Sequence, residues 1–441
     1  RWGRGHETPG EDPTVNREYA VAFVRGLQGS HRTYLKTAAC LKHLGSYSAE
    51  SGRMAFAAMV TPQDMEDTYL PAFASGVEDG HAVGLMCSYS AETYGEGSNG
   101  PGSDRQHGAV PSCANKGLIR DLARSKWGFN GYVTSDCGAT AGVEVAHGYS
   151  SGVEATVSAV LRAGMDTDCG KYMTADVMNS LLGIPSISRL ADEALTRLFN
   201  VQMRLGFFDE RARVPWGGYG PDVVNIPAHQ ALAKEAATQS LVLLKNARVT
   251  SSGQATLPLS ATLWSTGRAG QVADDMLSNA PRDRSSSPSP KYIAVVGRNA
   301  LATKNMQGNY FGTAPFLISP CEGINATIQP GGNVYCDDGA DGGLAVREAI
   351  SRGRVGIVVL VVGLTSRGGP DGSHLDEVEG GDRISLRLPG NQDAYIASVS
   401  SAAGRKGIPV VMVVMSGGPV DLSAAKGDDN IGAILWCGYP G

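Results

Sequence analysis

The sequence predicts an α/β protein of two domains, and three observations carry that reading. From Tyr34 to about Asp168, β-rich apolar runs alternate with helical patterns, as in parallel strands joined by helices. An aperiodic stretch rich in Gly and Pro, RARVPWGGYGPDVVNIP, then interrupts the pattern as a linker does. Beyond it, YIAVVG, VGIVVLVVG and PVVMVVMSG are almost continuous in Val and Ile, a composition suited to strands buried on both faces. Length agrees, since 441 residues at about 150 per domain make two or three units with their own cores.

In chain order, the first strand-like runs are TAACLKH, AVGLMCSY, GYVTSD and LRAGMDTD. Each gathers polar residues at its C-terminal end: Lys42 and His43, Ser88 and Tyr89, Ser135 and Asp136, Asp166 and Asp168. In a parallel sheet or barrel that end carries the site, because the following loops converge there. ADEALTRLFNVQMRLGFFD places Leu195, Leu198, Phe199 and Met203 at helical spacing and closes at Gly206, so an amphipathic helix is expected. After the linker a helix is expected from about Pro227 to Leu243. A Ser-, Thr-, Gly- and Pro-rich insertion falls at about 260–290, and no internal repeat is present.

Composition narrows the function classes. A net charge of −5 with 18% charged residues provides no field for nucleic acid or an anionic membrane, and a small uncharged ligand fits better. The longest apolar runs, Val355 to Leu364 and Ile408 to Met415, fall well short of the roughly 20 residues that span a bilayer. Eight cysteines show neither CxxC nor a Cys/His cluster at zinc spacing, so no metal is expected. Cys87 and Cys113 flank a long loop, and a disulfide closing it is expected; Asn325-Ala-Thr is an N-glycosylation sequon.

Several residues have the chemistry of a site, each beside a plainer role. Asp136 follows a strand-like GYVTS, where a barrel enzyme keeps a nucleophile, or it caps the next helix. Asp376, Glu377, Glu379 and Asp382 crowd into DEVEGGDR; like charges raise a carboxyl toward general-acid duty, whereas on its own the run reads as a solvated loop. Lys42-His43 either donates to sugar hydroxyls or is a surface pair. Arg4, in RWGRGHETPGED, offers a fork for vicinal oxygens or a salt bridge to Glu7 or Glu11. Gly297 in VVGRNA lacks the GxGxxG spacing of a dinucleotide site.

Together these pieces resemble glycoside hydrolase family 3, in its β-xylosidase branch. The matches run in order: RWGRGHETPGEDP, CLKH, MCSYS with PSCAN, WGFNGYVTSDCGA, AGMDTDCG, LTRLFNVQMRLGFFD, SLVLLKN with LPL, IAVVG, EVEGGDRISLRLPGNQ and AILWCGYPG. The resemblance implies a (β/α)8-type barrel over 1–210, a linker over 211–226 and an α/β sandwich over 227–441, with the active site between barrel and sandwich. It also implies that the barrel's N-terminal strands and the sandwich's C-terminal end are missing from the chain.

Carried onto this sequence, the resemblance makes Asp136 the nucleophile and Glu377, with Glu379 as its rival, the acid/base. Extra residues from Thr365 to His374 loosen that second register. Arg4, Lys42, His43, Tyr89 and Asp166 become sugar-binding residues. Two carboxylates about 5 Å apart imply a retaining double displacement without metal or organic cofactor. Cys137 after the nucleophile, where glucosidase-like members more often carry Trp, favours β-D-xylosidase over β-glucosidase. The implied partner is a xylo-oligosaccharide, with α-L-arabinofuranosides as a second substrate class and an extracellular location; the alternative class is a noncatalytic sugar-binding fragment.

Overall fold

The computed structural model describes residues 1–94, 108–247, 255–259, 291–328, 333–366 and 376–441, in two compact units. One spans Thr8–Val224; the other joins Arg1–Glu7 to Asn225–Gly441. The insertion expected at about 260–290, most of the loop between Tyr89 and Pro111 and most of the extra residues after Thr365 lie outside the described residues.

The unit Thr8–Val224 opens with helix α1 (Pro13–Gln28). Asp12 caps it by accepting the Thr14 N–H at 2.7 Å, and Pro13 occupies the first turn, where its missing N–H is no loss. Strand β1 (Cys40–Leu44), helix α2 (Pro71–Glu78), strand β2 (Gly84–Cys87) and strand β3 (Tyr132–Ser135) follow. The three strands are parallel and neighbour one another in chain order β1-β2-β3. Glycine permits the close approach: a Cβ on Gly84 would meet the Ala39 carbonyl and the Tyr132 ring at 2.9 Å. Helices α3 (Ala139–Val145), α4 (Val153–Ala163) and α5 (Pro185–Arg204) follow, and the short strands Ala57–Ala58, Ala91–Glu92 and Val110–Pro111 form a small second sheet.

Two expectations for this unit change. LRAGMDTD is not a strand: Leu161 to Ala163 end α4, and Thr167 alone forms a parallel bridge to Thr134. The described residues of this sheet therefore show three parallel strands, with Thr167 bridged alongside the third. Helix α5 is present, but it buries Ile187, Leu190, Ala191, Ala194 and Val201, while Leu195, Phe199 and Met203 are exposed. The packed stripe lies beside the most hydrophobic one because the neighbours supplied by α4, Val157 and Leu161, meet that side.

In the unit with Asn225–Gly441, helix α6 (Pro227–Gln239) stops before the expected Leu243. Leu243 instead joins strand β4 (Val242–Asn246), which pairs antiparallel with a later strand and so takes its backbone groups out of the helix. Strand β5 (Tyr292–Val296), helix α7 (Pro320–Ile328), strand β6 (Val334–Asp337), helix α8 (Leu344–Ser351), strand β7 (Val355–Gly363), helix α9 (Gln392–Gly404), strand β8 (Val410–Met415) and strand β9 (Ile431–Trp436) follow. The sheet order is β4-β9-β8-β7-β5-β6, parallel except for β4.

All nine residues of β7 are buried, as its uninterrupted apolar run requires. Val358, Leu360 and Val362 enter the core beneath α8 and α9, while Ile357, Val359 and Val361 enter a second core on the other face. Gln392 pins the end of β7, donating to the Gly363 carbonyl at 2.9 Å and accepting its N–H at 2.8 Å. This is a sheet covered on both sides, built by period-two alternation of apolar residues.

Candidate functional site

In the unit Thr8–Val224, the C-terminal ends of β1, β2 and β3 gather four of the expected side chains. Asp136 leaves β3 with its N–H on the Cys87 carbonyl at 3.0 Å. Its Oδ1 accepts the Cys137 N–H at 2.7 Å, and its Oδ2 stands 3.3 Å from His43 Nε2. The capping role is excluded, because Gly138 is the N-cap of α3 and no side chain caps that helix. Asp136 is thus a nearly buried carboxylate fixed by its own loop, with one edge toward an imidazole.

Aromatic rings hold that imidazole. Tyr47 meets His43 edge-on at 5.0 Å and Tyr89 at 6.1 Å. The Tyr89 hydroxyl donates to the Cys137 carbonyl at 3.0 Å. Its phenol is pushed well up, first by burial and then by the charge of Asp136, so it stays a donor. Arg53 lies over the Tyr89 ring at 5.1 Å and donates at 2.8 Å to the buried Glu50, which in turn accepts from Tyr47. Lys42 is exposed on the same strand as His43. Two disulfides brace these ends, Cys87–Cys113, as expected, and Cys137–Cys169.

Asp166 does not join this group. Its side chain is fully buried between Arg124 and Arg197, each at 2.7 Å, and it also accepts the Val133 N–H at 2.7 Å. With both oxygens engaged by these donors, Asp166 ties β3 to α5 and stands apart from the side chains gathered at the strand ends.

The other unit sorts the four carboxylates of DEVEGGDR, because each has a separate task. Asp376 is buried, accepting from the Thr365 N–H and hydroxyl at 2.8 Å and pairing with Arg298 at 3.0 Å. Asp382 accepts the Gly3 N–H at 3.1 Å. Glu377 is completely buried: Oε2 accepts from the Gly417 N–H and the Tyr439 hydroxyl, each at 2.8 Å, and Oε1 accepts the Gly418 N–H. A Cβ at either glycine would press on that carboxylate, so Ser416-Gly417-Gly418 after β8 is built to receive it.

Glu379 differs. Its side chain is 28% exposed, and it accepts from the Tyr310 hydroxyl at 2.7 Å with Arg4 Nη1 3.7 Å away. Arg4 itself is fully buried and gives its fork to Glu7, at 2.7 and 2.9 Å. This is the salt bridge weighed beside sugar binding in the sequence, and it places Arg4 between Glu7 and Glu379. Sequence reasoning missed Glu50, Arg53, Tyr310 and Tyr439; the SGGP turn following a buried strand was the one local signal for the Glu377 cradle.

Residues 1–194 match the Glycosyl hydrolase family 3 N terminal domain, and residues 241–441 match the Glycosyl hydrolase family 3 C-terminal domain. The chain belongs to glycosyl hydrolase family 3. Among family members it is similar to Probable beta-D-xylosidase 7 of Arabidopsis thaliana, 36% identical over all of this chain and 52% of that protein. Beta-D-xylosidase 3 of the same plant is 38% identical over all of this chain and 51% of its own length. A solved GH3 exo-beta-xylosidase (XlnD), in complex with a xylobiose aziridine activity-based probe, superposes with a TM-score of 0.80 at 31% identity, over all of this chain and 50% of that one. The chain therefore spans about half the length of the relatives it matches. The family's two-domain α/β architecture is the one described above.

Proposed function

We propose that the chain carries the catalytic carboxylates of a retaining, exo-acting β-D-xylosidase. The observation that carries this reading is Asp136 at the end of β3, with Oδ1 held by the Cys137 N–H and Oδ2 beside His43. Oδ2 attacks the anomeric carbon, the glycosidic C–O bond breaks, and the leaving oxygen takes the acid/base proton. Water then attacks the glycosyl-enzyme, returning its proton to the acid/base and freeing Asp136. His43 and the exposed Lys42 act on the sugar hydroxyls, and Tyr89 steadies the loop of the nucleophile.

Glu379 is the acid/base in this reading, in preference to Glu377. A general acid must bring a protonatable oxygen to the leaving group, and the fully buried Glu377 has both oxygens filled by backbone and phenol donors. Glu379 is partly exposed and has a hydroxyl partner. Xylose over glucose is supported by Cys137, which is tied to Cys169 and leaves no ring there to stack on a hexose, and by relatives named as β-D-xylosidases. Three disulfides, the two above and Cys321–Cys336, support an extracellular, oxidising setting.

Proton NMR of xylobiose hydrolysis by the whole protein tests the reading. The β-anomer of xylose forms first, and kcat/KM for an aryl β-D-xyloside exceeds that for the matching glucoside. An α-anomer burst overturns the retaining mechanism, and a preferred glucoside overturns the substrate.

A further inference from the structure

Tyr310 lies outside every motif singled out in the sequence, yet it stands against Glu379 within the same unit. Its backbone is left-handed, with φ of 54°, a conformation that side chains other than glycine rarely adopt. Among the described residues only His81 and Asn225 share it apart from glycines. A tyrosine held so is a pointer to function, since an ordinary turn would place glycine or asparagine there.

The conformation has a visible result. The Tyr310 hydroxyl donates to Glu379 Oε2 at 2.7 Å, while its ring lies 5.6 Å from the Arg4 guanidinium. The preceding Asn309 spans the same group, with Nδ2 at 3.0 Å from Glu7 Oε1 and 3.5 Å from Glu379 Oε2. Arg4 is a nearby cation among the described residues, and Glu7 takes its fork. Burial, followed by the hydrogen bond to Glu379, pushes the Tyr310 phenol up to about 12, so it keeps its proton at any working pH.

We propose that Tyr310 is the positioning residue of the acid/base, a hydroxyl that holds Glu379 in both of its protonation states. This rests on the reading of Glu379 as the acid/base. A group that alternates between acid and base needs a neighbour that can follow it. An ammonium or guanidinium only donates, and so favours the carboxylate alone. A phenol donates to the carboxylate and accepts from the carboxylic acid, so the side chain keeps its place when its proton leaves for the glycosidic oxygen. Arg4 gives its fork to Glu7, lies over the Tyr310 ring and keeps Nη1 3.7 Å from Glu379, outside hydrogen-bond reach.

The test compares Tyr310→Phe, which keeps the ring and removes the hydroxyl, with Glu379→Ala and wild type in the whole protein. The probes are 2,4-dinitrophenyl and phenyl β-D-xylosides, because only the poor leaving group needs protonation. Tyr310→Phe is expected to lose about tenfold more kcat/KM on the phenyl than on the dinitrophenyl glycoside, and Glu379→Ala more again. If Glu379→Ala shows that dependence and Tyr310→Phe loses equally on both probes or on neither, the role of Tyr310 is overturned by itself. If Glu379→Ala is no steeper than wild type, the acid/base reading falls and the Tyr310 role with it.

Discussion

A carboxylate that must hand over a proton and later reclaim one needs an open side, and in the proposed reading this requirement separates Glu379 from Glu377, two residues apart. Glu377→Gln turns one acceptor oxygen into a donor facing buried N–H groups, and should cost about 1–3 kcal/mol in unfolding free energy by urea titration. It should leave the leaving-group dependence of the folded enzyme unchanged. Glu379→Ala should do the reverse, keeping stability and losing turnover of poor leaving groups, with azide restoring activity on good ones. Asp136→Asn should lower kcat by roughly a thousandfold or more on every substrate. The motif EVEGGDR pointed to Glu377 first, with Glu379 as its rival. The donors that fill both Glu377 oxygens, Gly417, Gly418 and Tyr439, lie some forty to sixty residues further along the chain, beyond any local pattern.

Strand ends set the geometry of Asp136, the proposed nucleophile, and covalent and buried polar ties hold those ends. Cys137–Cys169 closes a loop spanning 32 residues next to Asp136, and replacing both with Ser should cost about 2–4 kcal/mol. Alkylation under non-reducing conditions should find two thiols, Cys40 and Cys437, after unfolding.

A second tie is Glu92, fully buried in a small sheet, which accepts the Ser46 N–H at 2.7 Å and the Ser46 hydroxyl at 2.9 Å just beyond β1. Burial raises its carboxyl to about 7, so the folded state binds this proton more tightly than the unfolded chain does. Its contribution to stability is full below about pH 4.5 and is lost as pH rises through about 7. Urea midpoints of Glu92→Gln should lack that decline between these pH values. Period and composition made β1, β2, β3, β5, β7 and β8 legible in the sequence. LRAGMDTD was misread because a helix's last turn and a strand entry share the same apolar residues.

At the scale of the molecule, two units carry the two proposed catalytic carboxylates, Asp136 in one and Glu379 in the other. RWGRGHE read as a structured loop at the head of the barrel, yet Arg1–Glu7 groups with the Asn225–Gly441 unit. Its ties are long-range: the Arg383 N–H reaches the Arg1 carbonyl at 3.0 Å, and Gly3 reaches Asp382. No pattern of spacing shows a contact across more than 370 residues of sequence. The family was legible because its motifs sit at strand ends and turns, where the backbone allows few residue types.

Trapping the glycosyl-enzyme tests the central claim most directly. The whole protein is incubated with a 2-deoxy-2-fluoro-β-xyloside bearing a good leaving group, digested, and mapped by mass spectrometry. A fluoroxylosyl adduct on the peptide containing Asp136, localised to that residue by fragmentation, is the expected result. Turnover with the adduct on another carboxylate, or steady turnover of ordinary xylosides with no adduct on Asp136, contradicts it.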